Sequence, residues 1–445
     1  MDHNTFLEGR ILPPLIRFSI PLMLSLILQA LYGGVDLAVV GHFSATSSVS
    51  AVATGSQVMQ SATALVTGLN MGVTVLLGQA IGAGDRRRAG GVIAGQIRLF
   101  LPLALLLTVV MVAFAPQAAQ LMNVPQEAVA ETIRYVRICA CGMIFITAYN
   151  AISGVFRGIG DSRSPFLFVA IACGMNVVLD LLFVGVFGMA ASGAALATVI
   201  AQGASVLFSA AYIRRRPLPF DVDRESFRLP QTSRSILRLG TPIALQDVLV
   251  NISFLIITSI VNSLGLVASA SVGVAEKMFV FLSIVPMAFL STLSAFVAQN
   301  IGAGNHPRAT KALFAAQSIS FAFGAVMFLL TFFQGGLLAS LFTSDPAVIA
   351  ATAQYLRGCS FEYLMISLSF CFLGYFNGLG RTTFVMLQGL LSAFLVRIPL
   401  SIFFSRLPDT NMGIISLAVP ISALSSLVMC LCYFFWLRRS LKHTH

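Results

Sequence analysis

The chain has 445 residues, of which 57% are hydrophobic and only 10% charged, with a mean hydropathy of +0.91. Soluble domains carry about 25% charge, so a soluble enzyme and a disordered tail are both excluded, and 36 Gly and 17 Pro among apolar runs suit lipid-embedded helices, where neighbours re-satisfy freed backbone groups. A net charge of +11 does not indicate nucleic acid here, because the basic residues lie in short loops between apolar runs.

A spanning helix needs about 20 largely apolar residues. In chain order the spans are predicted at 15–40, 51–77, 91–115, 130–155, 165–187 and 191–213, then at 241–264, 271–298, 309–333, 350–376, 383–404 and 411–437. The expected fold is therefore all-α: a polytopic membrane protein of twelve transmembrane helices in two pseudo-symmetric six-helix bundles. Before the first span, Met1 to Arg17 lacks an apolar stretch ending at a small-residue cleavage site, so no removable leader is expected. Arg86, Arg87, Arg88, Arg157, Arg163, Arg214, Arg215, Arg216, Arg308, Arg381, Arg438 and Arg439 fall on one side of the spans, whereas Arg406 stands in an opposite-side loop. The positive-inside rule then places both termini in the cytoplasm, and the expected location is the cell inner (plasma) membrane. Seven Cys within or beside apolar runs read as small hydrophobes, and no Cys-His cluster has zinc spacing.

The longest polar stretch, 214–238, divides an N-terminal lobe (1–213) from a C-terminal lobe (239–445) and is expected to be a cytoplasmic linker. The lobes repeat at an offset of 220: Gln79-Ala80-Ile81-Gly82-Ala83-Gly84 recurs as Gln299-Asn300-Ile301-Gly302-Ala303-Gly304, Tyr135/Arg137/Cys139 as Tyr355/Arg357/Cys359, and Gly154/Phe156/Gly158/Gly160 as Gly374/Phe376/Gly378/Gly380. An even number of spans per lobe gives both the same orientation, as in carriers that bind substrate between two repeats and work by alternating access.

Ionisable groups inside the membrane are expensive, about 2.5–3.5 kcal/mol for Asp at a helix centre, and normally face a cavity or a partner. Asp36 in span one and Asp180 in span five stand out, with Asn176 one turn before Asp180 and Thr198 in span six at similar depth. No Arg or Lys of the first lobe lies at that depth, so the four are candidates for a cation or proton site, with bound Na+ as the metal alternative. Ser56, Gln60, Thr63, Thr67 and Asn70 fall on one face of span two, and Gln29, Tyr32 and Asp36 on one face of span one. With Asn150 and, in the second lobe, Met287, the side chains Gln29, Tyr32, Ser56, Gln60, Thr63, Thr67 and Asn70 are assigned to a substrate cavity. A polar stripe also has a bland reading, hydrogen bonding between helices. At the 220 offset the span-two row becomes Glu276, Val280, Ser283, Met287 and Leu290, while Asn176 and Asp180 become Val396 and Leu400, so cation chemistry is expected in the first lobe only. Glu362 and Arg397 could pair between spans ten and eleven, and Asp247 could reach water near the inner end of span seven. The Gly78–Gly84 run follows no strand and has no phosphate-loop spacing, and no catalytic motif is present. The chain is expected not to be an enzyme, to need no cofactor, and to draw energy from an ion gradient.

Taken together, Gln29-Ala30-Leu31-Tyr32 with Val35-Asp36, the Gly78-Gln79-Ala80-Ile81-Gly82-Ala83-Gly84 turn, and Phe156-Arg157-Gly158-Ile159-Gly160-Asp161-Ser162 with Pro165 make the sequence resemble multidrug and toxic compound extrusion (MATE) transporters over essentially its whole length. Within that family it resembles the DinF-like branch, whose first-lobe cation or proton site is matched by Asp36, Asn176, Asp180 and Thr198, and whose bending first helix has a proline where Pro21 stands. The carboxylate pair of the NorM-like branch is not carried over to Asp247 and Glu362. The resemblance implies a monomeric efflux antiporter that exchanges small organic, often cationic drugs for H+ or Na+ among membrane lipids. Ion entry would neutralise the carboxylates, bend span one at Pro21 and expel the drug. A flippase for lipid-linked sugars is the alternative within transport; it needs a basic cavity for pyrophosphate, where the first lobe is acidic. A membrane-embedded enzyme or sensor is the alternative outside transport.

Overall fold

The computed structural model describes residues 6–220, 222–228, 230–408 and 410–442; the first five residues of the stretch read above for a leader lie outside these. The described residues pack as two units, one of Ile20–Ala244 and the other of the residues up to Ser19 and from Leu245 onward.

The first unit is built from α1 (Leu12–Phe43, from Ile20 on), α2 (Thr46–Gly82), α3 (Arg86–Leu121), α4 (Gln126–Cys141), α5 (Met143–Ile159), α6 (Arg163–Asp180), α7 (Ala190–Arg215) and the start of α8 (Pro230–Asn262). α6 runs directly into a π-helical turn, Leu181–Val186. Two apolar cores hold these helices, one around Val73, Leu77, Val92 and Ile236, the other around Val40, Val52, Met143 and Ala194. The outer face of α3 is different: Leu105, Leu106, Val109 and Phe114 are all more than half exposed, which is where a bilayer supplies the missing apolar neighbours. Residues of the 214–238 stretch also pack on this unit. Phe220 is buried in its core, Arg98 donates to the Phe227 carbonyl, and Arg87 pairs with Glu225 at 3.2 Å.

The second unit contains the rest of α8, α9 (Leu266–Leu282), α10 (Ile284–Gly302), α11 (His306–Ser340), α12 (Pro346–Gly378), α13 (Thr382–Leu390), a π-helical segment Leu391–Arg397, α14 (Ile398–Ser405), α15 (Met412–Ser416) and α16 (Ala418–Lys442). Its lead-in, the residues before α1, is fixed by the Arg308 guanidinium, which donates to the carbonyls of Phe6, Glu8 and Gly9 at 2.9, 2.8 and 2.7 Å. Phe6 itself is buried between Phe18 and Phe296.

Among the described residues eleven helices are long and apolar enough to cross a membrane, and twelve when the bent pair α4 and α5 counts as one span. That pair is the expected span four, broken at Gly142 and bent by 51°. Span eight is interrupted at Ser283, between α9 and α10. The internal repeat is realised in local structure. Asp85 and Asn305 each cap the following helix by accepting from the backbone N–H of Arg88 and Arg308, at 2.9 and 3.2 Å. Arg137 and Arg357 each donate through Nε to a carbonyl, of Val112 and Phe332, at 3.3 Å. Gly160 and Gly380 stop their helices in the left-handed region at φ 96° and 75°, which favours glycine.

Candidate functional site

Three helices of the first unit bring Asp36, Asn176, Asp180 and Thr198 together. α1 supplies Asp36, α6 supplies Asn176 and Asp180 one turn apart, and α7 supplies Thr198. Asp36 is 3% exposed, and Asn176 and Asp180 are fully buried. With its amide nitrogen turned toward the carboxyls, Asn176 donates to Asp36 Oδ1 at 2.9 Å and to Asp180 Oδ2 at 3.3 Å. Thr198 Oγ1 donates to Asp36 Oδ2 at 3.5 Å.

Buried carboxylates are costly unless paired or fully hydrogen-bonded. Here, among the described residues, no Arg or Lys forms an ion pair with either one, the sole salt bridge being Arg87–Glu225. Among the described residues Asp180 Oδ1 is buried with no hydrogen-bond partner, as is the Tyr32 hydroxyl, one turn before Asp36 on α1. The group thus holds more acceptor oxygens than donors. Such a set can bind a proton shared between two carboxyls, or a small cation held by carboxylate, amide and hydroxyl oxygens.

Two local features position it, and the sequence reading missed one of them. α6 changes to π geometry immediately after Asp180, and such turns leave backbone groups out of α-helical register and recur at functional sites. No residue type marks this change in the sequence. The other is Pro21, which lies inside α1, two residues past the last residue that packs with the second unit. Proline cannot donate to the carbonyl one turn back, so the helix is weakest there. Ser25 Oγ donates to the Pro21 carbonyl at 2.8 Å.

The stripe on α2 divides in two. Toward one end, Ser56 Oγ lies 3.0 Å from the Tyr135 hydroxyl, Thr63 donates to its own helix at Met59, Thr67 donates to Thr63, and Gln60 and Thr67 are exposed, as is Gln29 on α1. Toward the other end Asn70 is fully buried: it donates to the Asn150 carbonyl and accepts from Gln96 at 3.1 Å, while Asn150 turns its amide to the Ile146 carbonyl of its own helix at 2.8 Å. Asn70 and Asn150 therefore join α2, α3 and α5. Tyr135 and Gln96 are partners that the sequence reading did not name; Tyr135 could have been found from its repeat as Tyr355.

In the second unit Glu362 is buried at 4% exposure on α12, but it forms no ion pair with Arg397 within 4 Å. Arg397 instead stacks on Phe254, 4.8 Å from the ring centre, and donates through Nε to Ser422 Oγ at 3.3 Å. Glu276 is exposed and accepts from Thr258 at 3.1 Å, Met287 is 38% exposed, and Asp247 is half-buried. The positions equivalent to the first-unit group at the 220 offset are Ile256, Val396, Leu400 and Ala418, none of which can bind a cation.

A sequence model of the MatE family matches residues 21–182 and again 242–403, one match in each half. The chain is 29% identical over 408 residues to the "Probable multidrug resistance protein YpnP" of Bacillus subtilis, covering 91% of each. It is 25% identical to the "Probable multidrug resistance protein NorM" of Thermotoga maritima, over 87% of this chain and 84% of that one, and 23% identical to the "Multidrug export protein MepA" of Staphylococcus aureus, over 86% of each. The fold is that of a solved MOP superfamily transporter from Pyrococcus furiosus, with TM-score 0.92 at 22% identity over 99% and 98% of the two chains. A MATE family transporter solved in an outward-facing conformation superposes with TM-score 0.90 at 23% identity, over 100% and 98%. The chain belongs to the MatE family, as its sequence resemblance implied. It is a multi-pass membrane transporter of the MATE efflux type and not an enzyme.

Proposed function

We propose that this chain exports small organic, mostly cationic or amphiphilic compounds in exchange for H+ or Na+, and that Asp36, Asn176, Asp180 and Thr198 form the coupling site. The observation that carries the reading is the buried carboxylate pair joined by the Asn176 amide with no cationic partner among the described residues. In the empty state the excess negative charge disfavours closure around the site. A proton or Na+ removes that charge, so the ion stabilises the closed, dry arrangement and the drug the open one. That difference in preference is what coupling requires, because equal affinity for both states shifts nothing, and moving an equilibrium from 1:99 to 99:1 takes about 5.5 kcal/mol of differential binding.

Pro21 is the hinge in this reading. Bending there moves the outer part of α1, which carries Tyr32 and Asp36, and reduces the cavity lined by Gln29, Tyr32, Ser56, Gln60, Thr63 and Thr67. The site residues and the proline match the DinF-like branch, to which we assign the chain. The protein acts as a monomer with both termini in the cytoplasm.

The test is efflux of a fluorescent organic cation from proteoliposomes, with a proton gradient and a sodium gradient imposed separately. Export driven by one or both supports the reading; export indifferent to both gradients overturns it.

A further inference from the structure

The second unit contains a cavity of about 660 Å³ at the start of α1 and α11, lined by Gly9, Arg10, Leu12, Asn305, Arg308 and Lys311 among others, with no acidic side chain among the described residues of its wall. Three cationic side chains meet there. Arg308 is committed to the carbonyls of Phe6, Glu8 and Gly9 and so builds the wall, whereas Arg10 and Lys311 are exposed and form no ion pair among the described residues. The N-terminal end of α11, capped by Asn305, adds its positive dipole end.

At the same place in the first unit one of three consecutive arginines has an acidic partner. There Arg87 pairs with Glu225 of the segment before α8 at 3.2 Å, and Asp223 stands in the same turn. At the 220 offset the second unit has Pro307 for Arg87 and Lys311 for Gly91. The base thus moves one turn along the helix between the two copies, and among the described residues Lys311 has no ion-pair partner such as Glu225 gives Arg87.

Apolar surface leads away from this cavity along α1. Leu12 and Ile16, one turn apart, are 44% and 37% exposed. A basic pocket for a headgroup at the end of an exposed apolar helical stripe is the arrangement that holds both parts of a phospholipid.

We propose that this cavity binds the phosphate of an anionic phospholipid, with Arg10 and Lys311 as its charged donors and an acyl chain along Leu12 and Ile16. Because Arg308 and the lead-in segment form the wall, the bound lipid also holds the start of α1 to the second unit.

The experiment is native mass spectrometry and thermal unfolding of the full chain in nanodiscs of phosphatidylcholine alone or with phosphatidylglycerol. Wild type retains phosphatidylglycerol and unfolds at higher temperature in its presence. The double variant Arg10→Gln/Lys311→Gln loses about tenfold or more of that retention and the thermal shift. A control, Arg214→Gln/Arg215→Gln, removes equal charge from exposed positions of the first unit and keeps both. Equal behaviour in the two lipids, an unaffected double variant, a control as impaired as the double variant, or full stabilisation by inorganic phosphate in phosphatidylcholine would each overturn the proposal. Should the double variant not fold, the wild-type comparison of phosphatidylglycerol against phosphatidylcholine and phosphate decides alone.

Discussion

Asp36 and Asp180 face one another across a single amide: the Asn176 nitrogen reaches an oxygen of each, at 2.9 and 3.3 Å, and no basic side chain among the described residues intervenes. Asn176→Leu keeps the branched shape and removes both donors. Hydrogen bonds to charged groups contribute about 1.5–3 kcal/mol each and here stabilise the ion-free carboxylates, so with H+ as the driving ion the variant is expected to reach half-maximal efflux at roughly tenfold or more lower H+ concentration, read from transport rate against ion concentration. An unchanged ion dependence would assign Asn176 a packing role only.

The tight meeting of α2 and α5 rests on Gly154, where an added Cβ would collide with the Asn70 amide. Gly154→Ala is expected to lower thermal stability by about 1–3 kcal/mol, the usual range for overpacking. Asn70→Ala in the same chain should recover part of that loss, because it removes the colliding group. At the equivalent Gly374 the obstacle is the Leu290 backbone carbonyl, so Gly374→Ala has no such rescue. Unfolding curves for the single and double variants check the pattern.

Pro21→Ala restores a backbone donor inside α1 and is expected to stabilise the straight helix. If bending at this residue drives expulsion, the variant binds drug but exports it more slowly, with binding and transport measured on the same preparation. A transport rate equal to wild type removes the hinge from the mechanism.

Outside the membrane-spanning segments, Asp223 is held below the usual carboxylate range first by the Ser226 hydroxyl and then by the Ser226 backbone N–H. A lowered folded value means that the turn's extra stability is fully present above the ordinary aspartate value, about pH 3.9, and disappears as pH falls through the lowered one. Hydrogen exchange at Ser226, taken relative to its intrinsic rate, should lose protection in that acid window, and Asp223→Asn should abolish the pH step.

Much of this architecture is legible in the sequence because lipid makes polar residues expensive. Asp36, Asn176, Asp180 and Thr198 can be grouped by depth alone, and the glycine-rich turns Gln79–Gly84 and Gln299–Gly304 expose the repeat. Helical periodicity places Ser56 and Asn70 on one face of α2 but does not say what that face meets. One end stands beside Tyr135 and exposed positions, and the other is buried against Asn150 and Gln96. The π turn after Asp180 needs one extra residue in a helical turn, which leaves no compositional mark. The docking of Phe6 against Phe296 is a contact between distant segments, and no local pattern encodes it.

The most direct measurement replaces each acid by its neutral isostere. Asp36→Asn and Asp180→Asn are reconstituted separately, and gradient-driven drug efflux is compared with wild type at equal protein, with Glu362→Gln as a second-unit reference. Efflux through both first-unit variants should fall to the level of protein-free vesicles while the reference continues to respond to the gradient. Full gradient-dependent efflux by both Asp variants would contradict the account.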